Sequence, residues 1–308
     1  MLVHRHLSHL QRSPSHPHVV TVGAYDGVHR GHQEILRRLK ACARASGMPA
    51  LVLSFEPLPR EFFSPDRPAA RLTRFRERYH LLANVGVDEL FCPSFRRIRR
   101  LSASEFIEDV LLAGLNTRHV VVGEGFRFAA NRLGTMQDLR TAGEAAGFEV
   151  TEVPAIYWRG RRVSSTAIRK ALREGDLALA SDMLGRDYSI SGRVIRGIGL
   201  GKELGFPTAN VNLHRLQAPV DGIFAARIGG LADGLLDGVA SVGTRPTVGG
   251  VEPLLEVFIF DFDREIYGRY ITVHFIRRLR EERNYADLAT MKVQMYKDVE
   301  NAREALAA

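Results

Sequence analysis

The chain has 308 residues, too many for one ordinary core, which implies two domains. With 45% hydrophobic and 25% charged residues, and no apolar run of membrane-spanning or signal-peptide length, a globular protein of the cytoplasm is expected. Cys42 and Cys92 are isolated thiols, which excludes a disulfide framework, and the net charge of +8 suits polyanions such as nucleotides or nucleic acid.

Five histidines precede residue 20 (His4, His6, His9, His16 and His18) without repeating spacing, a polar lead-in or an adventitious metal site. Residues 19–22, bounded by Pro17 and Gly23, read as a short buried strand. Ile35, Leu36, Leu39 and Ala43 then recur at helical spacing. Between strand and helix runs Gly23-Ala24-Tyr25-Asp26-Gly27-Val28-His29-Arg30-Gly31-His32. N–H groups at a helix N-terminus attract anions, glycines admit a ligand to the main chain, and His29 and His32 can donate to phosphate oxygens. Taken alone, the pair also reads as solvated turn histidines. As a metal centre it has too few ligands, since no cysteine or carboxylate lies at ligand spacing.

Residues 50–55 form a second strand, stopped by Pro57 and Pro59. Phe75, Tyr79 and Leu82 mark a helix, and residues 87–91 return as a strand. The basic run Arg96-Arg97-Ile98-Arg99-Arg100 reads as a solvated loop or an RNA-binding patch. Ser102-Ala103-Ser104-Glu105 is a capping box opening a helix with Phe106, Val110 and Leu111 on one face. A strand over 119–122, a helix over 136–146 and a strand over 148–153 complete the alternation. This pattern predicts an α/β, doubly wound parallel sheet, with ligands outside the carboxyl ends of the strands, where residues 23–32 lie. Val163-Ser164-Ser165-Thr166-Ala167-Ile168-Arg169 then opens a helix on hydroxyl side chains, with Arg169 one turn beyond Ser165. The run is an ordinary N-cap or an anion site.

From about residue 186 short β-rich runs replace the helices, at 189–195, 222–228, 238–242, 254–262 and 270–275. They predict an antiparallel barrel or sandwich, covered by a C-terminal helix over 286–307 through Leu288, Met291, Met295 and Val299. The expected domains are therefore residues 1–185 and 186–308. Gly197-Ile198-Gly199-Leu200-Gly201-Lys202 is not a Walker A loop, because Glu203 stands where Ser or Thr would meet Mg²⁺. Thr208 and Asn210 fall on one side of an extended segment, where Mg²⁺ could sit. Glu256, between Leu255 and Val257, is either a working carboxylate or an outward-facing strand residue.

Taken in order, these runs resemble bacterial bifunctional riboflavin kinase/FAD synthetases over nearly the whole chain. Residues 23–32 are similar to the G-x-[FY]-D-G-V-H-x-G-H form of H-x-G-H nucleotidyltransferases, and residues 163–169 to the S-S-T-x-I-R element of the same family. Pro207-Thr208-Ala209-Asn210, Gly238 to Thr247 and Leu255-Glu256-Val257 resemble riboflavin kinase signatures. The resemblance implies an N-terminal FMN adenylyltransferase and a C-terminal riboflavin kinase barrel, using Mg²⁺, ATP and flavin. Nucleotide would be held by Gly23, Asp26, Gly31, Ser164, Ser165 and Thr166, with His29, His32 and Arg169 at the transferred phosphate. In the kinase, Gly197, Gly199, Lys202, Arg280 and Glu282 would bind substrate, with Tyr285 in the same flap. Thr208 and Asn210 would hold Mg²⁺, and Glu256 would act as general base. Departures from the family pattern fall at Leu58, Gly125, Ala129, Lys202 and Phe258. They leave open a riboflavin kinase with a weakened or altered N-terminal half. A flavin-responsive, nucleic-acid-binding regulator is the alternative of a different class. The expected partners are small molecules, with no membrane and no nucleic acid, and the expected assembly a monomer or weak homo-oligomer.

Overall fold

The computed structural model describes residues 1–7, 16–64, 69–197, 201, 204–247 and 250–307. By backbone proximity the chain forms two units, Met1–Ala69 with Phe75–Ser164, and Ala70–Arg74 with Ser165–Ala308. Ile198, Gly199, Leu200, Lys202, Glu203 and His9 lie outside the described residues.

The first unit is built on six parallel strands: β1 (Leu2–His4), β2 (His18–Val22), β3 (Ala50–Leu53), β4 (Glu89–Phe91), β5 (Thr117–Gly123) and β6 (Glu149–Val153), in the order β1-β4-β3-β2-β5-β6. The apolar runs of β2 and β3 are buried on both faces, as a doubly covered parallel sheet requires. One face packs Val19, Ala50 and Val52 against Leu36 and Leu39 of α1 (Arg30–Ser46). The other packs Val20, Leu51 and Val122 against Phe106, Val110 and Leu111. Those three lie on a π-helical turn, Phe106–Leu112, which follows the capped turn Ala103–Glu105. Strand order reverses at β2, so the turn after β2 opens at the switch point of the sheet.

Two expectations are corrected here. The N-terminal residues are not wholly a lead-in, because Leu2–His4 pairs in parallel with β4 and His4 Nε2 lies 2.8 Å from a Glu89 carboxylate oxygen. The arginine run is only partly a loop: Arg96 to Ile98 lie in a short helix, Phe95–Ile98, with Phe95 and Ile98 buried, while Arg99 and Arg100 follow in a turn. Arg96 and Arg99 lie over the Phe62 ring.

After β6 the first unit adds a small antiparallel hairpin, β7 (Tyr157–Trp158) and β8 (Arg161–Arg162). In the second unit, strands β9 (Ser189–Ile195), β10 (Thr208–Asn212), β11 (Gly222–Gly229), β12 (Leu236–Thr247), β13 (Gly250–Ile259) and β14 (Tyr270–Arg280) close a barrel. Every neighbouring pair in it is antiparallel. Its interior is filled by Val194, Val211, Phe224, Ala240, Val242, Leu255, Val257, Ile271, Val273 and Phe275, all nearly solvent-free. The C-terminal helix, Leu288–Ala307, covers the outer face. Of the expected stripe, Val299 packs with Ala302 and Leu306 against Ala225, Val239 and Phe260, and Met291 and Met295 are half-buried and line the cavity described below. Leu288 departs from it and is 53% exposed.

Candidate active sites

In the first unit, the turn after β2 departs from the conformations that side chains prefer. Tyr25, Gly27 and Val28 have φ of 51°, 87° and 41°, and a β-branched residue at positive φ is held there only by its surroundings. The turn is fastened through the Ala24 carbonyl, which accepts from Ser54 Oγ at 3.2 Å and from Arg78 Nη1 at 3.1 Å. It delivers His29 to the N-cap of α1, where Nδ1 accepts the backbone N–H of His32 at 3.3 Å. Nε2 therefore carries the proton of a neutral His29 ring. The His29 and His32 rings stack at 3.6 Å and 17°, and the Tyr25 ring lies tilted 4.9 Å from that of His32. Tyr25 is oriented by its 2.6 Å hydrogen bond with Thr21 Oγ1. Burial, with the neighbouring His29, holds the His32 pKa well below that of an exposed imidazole. Its Nδ1 is buried and has no hydrogen-bond partner among the described residues. Gly31 gives the stack room, since a Cβ there would stand 3.2 Å from the His29 ring. Gly23, Asp26 and Gly31 thus share one turn with both histidines.

The serine-rich motif is divided between the units. Ser164 closes the first, while Ser165, Thr166 and Arg169 lie on the helix Ser165–Arg173 of the second. There Arg169 Nε donates to the Ala70 carbonyl at 2.6 Å.

The barrel carries a cavity of about 350 Å³ on its outer face, beneath the C-terminal helix. Strand alternation explains its lining. Leu255 and Val257 point into the barrel, so Glu256 and Phe258 point out, and the same parity turns Val239 and Ser241 of β12 towards the cavity. Asn210 is paired directly opposite Glu256 across β10 and β13, with Ser241 opposite Glu256 on the other flank. Glu256 is therefore an outward-facing strand residue that is nonetheless covered. Thr208, Gly197, Arg280, Glu282 and Tyr285 line the same cavity. A Cβ on Gly197 would collide with the Asn210 amide, and one on Gly243 with the Glu282 carboxylate. Burial, reinforced by Asp221 and opposed by Arg280, raises the Glu282 pKa.

Asp298 is a cavity residue absent from the sequence reading. Its carboxylate receives Arg280 Nε at 2.8 Å and Nη2 at 2.7 Å, with Gln294 Nε2 at 3.0 Å. The signal was present: Met291, Met295 and Asp298 are spaced four and three apart, placing a carboxylate on an apolar helix stripe.

The family model of FAD synthetase matches residues 11–167, and that of riboflavin kinase matches residues 184–306. The chain belongs to the family of bifunctional riboflavin kinase/FMN adenylyltransferases. It is 43% identical to the Escherichia coli K12 protein of that name over 97% of this chain and 96% of the relative. The Pseudomonas fluorescens protein of the same name is 44% identical over 94% and 93% of the two chains. A crystal structure described as a macrolide-efflux protein from Streptococcus pneumoniae superposes with a TM-score of 0.81 at 30% identity, covering 94% of each chain. Among the described residues, no helix is long and apolar enough to cross a membrane.

Proposed function

We propose that the chain phosphorylates riboflavin with ATP to give FMN and transfers the AMP of ATP to FMN, giving FAD and pyrophosphate. The observation that carries this reading is the convergence of Thr208, Asn210, Glu256, Arg280 and Glu282 on one cavity of a family-typical barrel. A stacked histidine pair at the switch point of the other unit complements it.

In the barrel, Glu256 accepts the proton of the ribityl 5′-hydroxyl as that oxygen attacks the γ-phosphate, and ADP leaves. Thr208 and Asn210 offer hard neutral oxygens that suit Mg²⁺, and Gly197 leaves the Asn210 amide unobstructed. Mg²⁺ bound with ATP would be held by these two residues and would neutralise phosphate charge. Arg280, oriented by Asp298, supplies positive charge at the cavity, with Glu282 and Tyr285 beside it.

In the first unit, the N–H groups opening α1 face the triphosphate, and the His29 and His32 rings donate to it as charge develops on the α-phosphate. A neutral His32 brings a donor without the cost of desolvating an imidazolium. Ser164 belongs to the same unit and would add its hydroxyl to this anion site, as the family motif implies. Riboflavin, FMN and ATP are the partners. Cys42 and Cys92, neither in a disulfide, support a reducing cytoplasm as its compartment. Incubating the purified chain with ATP and Mg²⁺, first with riboflavin and then with FMN, tests the reading by separating the flavin products. Failure to form FMN or FAD would refute the corresponding half.

A further inference from the structure

Arg78, on the helix Phe75–Val85, is completely buried, yet it lies in neither proposed reaction. Its guanidinium reaches two separate turns. Nη1 donates to the Ala24 carbonyl at 3.1 Å, in the turn that carries the histidine pair. Nη2 donates to the Phe55 carbonyl and to the Glu56 carboxylate, each at 3.2 Å, in the turn after β3. The Cys92 sulfur lies 3.9 Å from Nη2.

An arginine buried this way is expensive to desolvate, and an apolar side chain of similar volume commonly gives equal or better stability. What such a side chain cannot do is bridge several acceptors with a rigid planar fork. We propose that Arg78 is a positioning residue for adenylyl transfer. It ties the turn after β2, which holds the triphosphate, to the neighbouring turn after β3, so that the triphosphate is presented to the attacking phosphate at a fixed position. The inference rests on the adenylyltransferase reading of this unit. In-line attack of the FMN phosphate on the α-phosphate of ATP needs the reacting atoms about 3–3.5 Å apart, so slack between the turns is costly.

The test uses the full chain with Arg78→Met, which keeps the volume, and Arg78→Lys, which keeps the charge but loses the fork. Hydrogen exchange should quicken together at residues 23–28 and 54–58 while β2 and β3 stay protected. FAD formation from FMN should fall about 100-fold with a raised KM for ATP or FMN. FMN formation from riboflavin on the same chains should be unchanged. Wild-type exchange in both turns would overturn the proposal. So would a fall in kcat with both KM values unchanged, the mark of fewer folded molecules, or loss of strand protection in both variants. A wild-type chain that made no FAD would defeat the adenylyltransferase reading instead, and exchange would still decide whether Arg78 joins the turns.

Discussion

Asn210 and Glu256 face each other across the β10–β13 ladder, as directly opposed residues on the outer face of a closed barrel. The proposed metal-holding amide and the proposed base are therefore fixed by main-chain pairing rather than by flexible loops. This rigidity makes Gly197 a sensitive position, since any side chain there strikes the Asn210 amide. Gly197→Ala should lower kcat/KM for FMN formation about 100-fold, the scale expected when a site group is displaced by about 1 Å. FAD formation from supplied FMN, measured in the same preparation, should not change.

The Arg280–Asp298 pair joins the end of β14 to the C-terminal helix through two short hydrogen bonds, with the Asp298 side chain only 5% exposed. Removing one partner leaves the other charge buried, a loss of about 3–5 kcal/mol. Asp298→Ala should lower the urea midpoint of the barrel's unfolding transition accordingly, and should also weaken FMN formation by releasing Arg280. An unchanged midpoint would show that water replaces the carboxylate without cost.

The sign of the pH dependence follows from His32. Its folded-state pKa is depressed from the ordinary 6.5, so the unfolded chain binds the proton more readily. The stability this neutral ring contributes is present above pH 6.5 and is lost as pH falls towards the folded pKa. Urea titrations of the first unit at pH 7 and pH 5 should show a larger loss in the wild type than in His32→Asn. The difference in slope should approach one proton, about 1.4 kcal/mol per pH unit. Equal slopes would mean that the imidazole is hydrated.

Ala129 stands where the family pattern has glycine, and its φ of 66° with ψ of −173° is a conformation that glycine alone adopts without strain. Ala129→Gly should stabilise the first unit by about 1 kcal/mol, read as a higher urea midpoint. The same substitution should leave FMN formation unaltered. At two further departures the chain is well accommodated: Gly125 has φ of 71°, and Leu58 is buried at the start of the helix Pro59–Phe63.

The alternation of strand and helix was legible because β2, β3 and β5 are apolar runs bounded by turn residues. Met136–Ala146 coincides with its expected bounds because Thr135 caps one end and Gly147 the other. Ser189–Ile195 likewise matches. Leu2–His4 was illegible, since a three-residue strand has no period and its partner lies 85 residues away at Glu89. The Phe95–Ile98 helix was masked by its arginines, whose outward direction hides two buried residues. Motif residues of the cavity could be named from sequence, because local spacing fixes Thr208 beside Asn210. The Asp298 and Arg78 contacts could not, because each joins segments distant in the chain.

The central claim is that two independent reactions occupy the two units, and a single flavin-product measurement on three proteins tests it most directly. Wild type, Glu256→Ala and His29→Ala are each given ATP and Mg²⁺ with riboflavin or with FMN, and the flavins are separated. Wild type should form FMN and FAD from riboflavin. Glu256→Ala should form no FMN from riboflavin, yet convert supplied FMN to FAD, whereas His29→Ala should accumulate FMN and form no FAD from either flavin. Unimpaired FMN formation by Glu256→Ala, or unimpaired FAD formation by His29→Ala, would contradict the assignment.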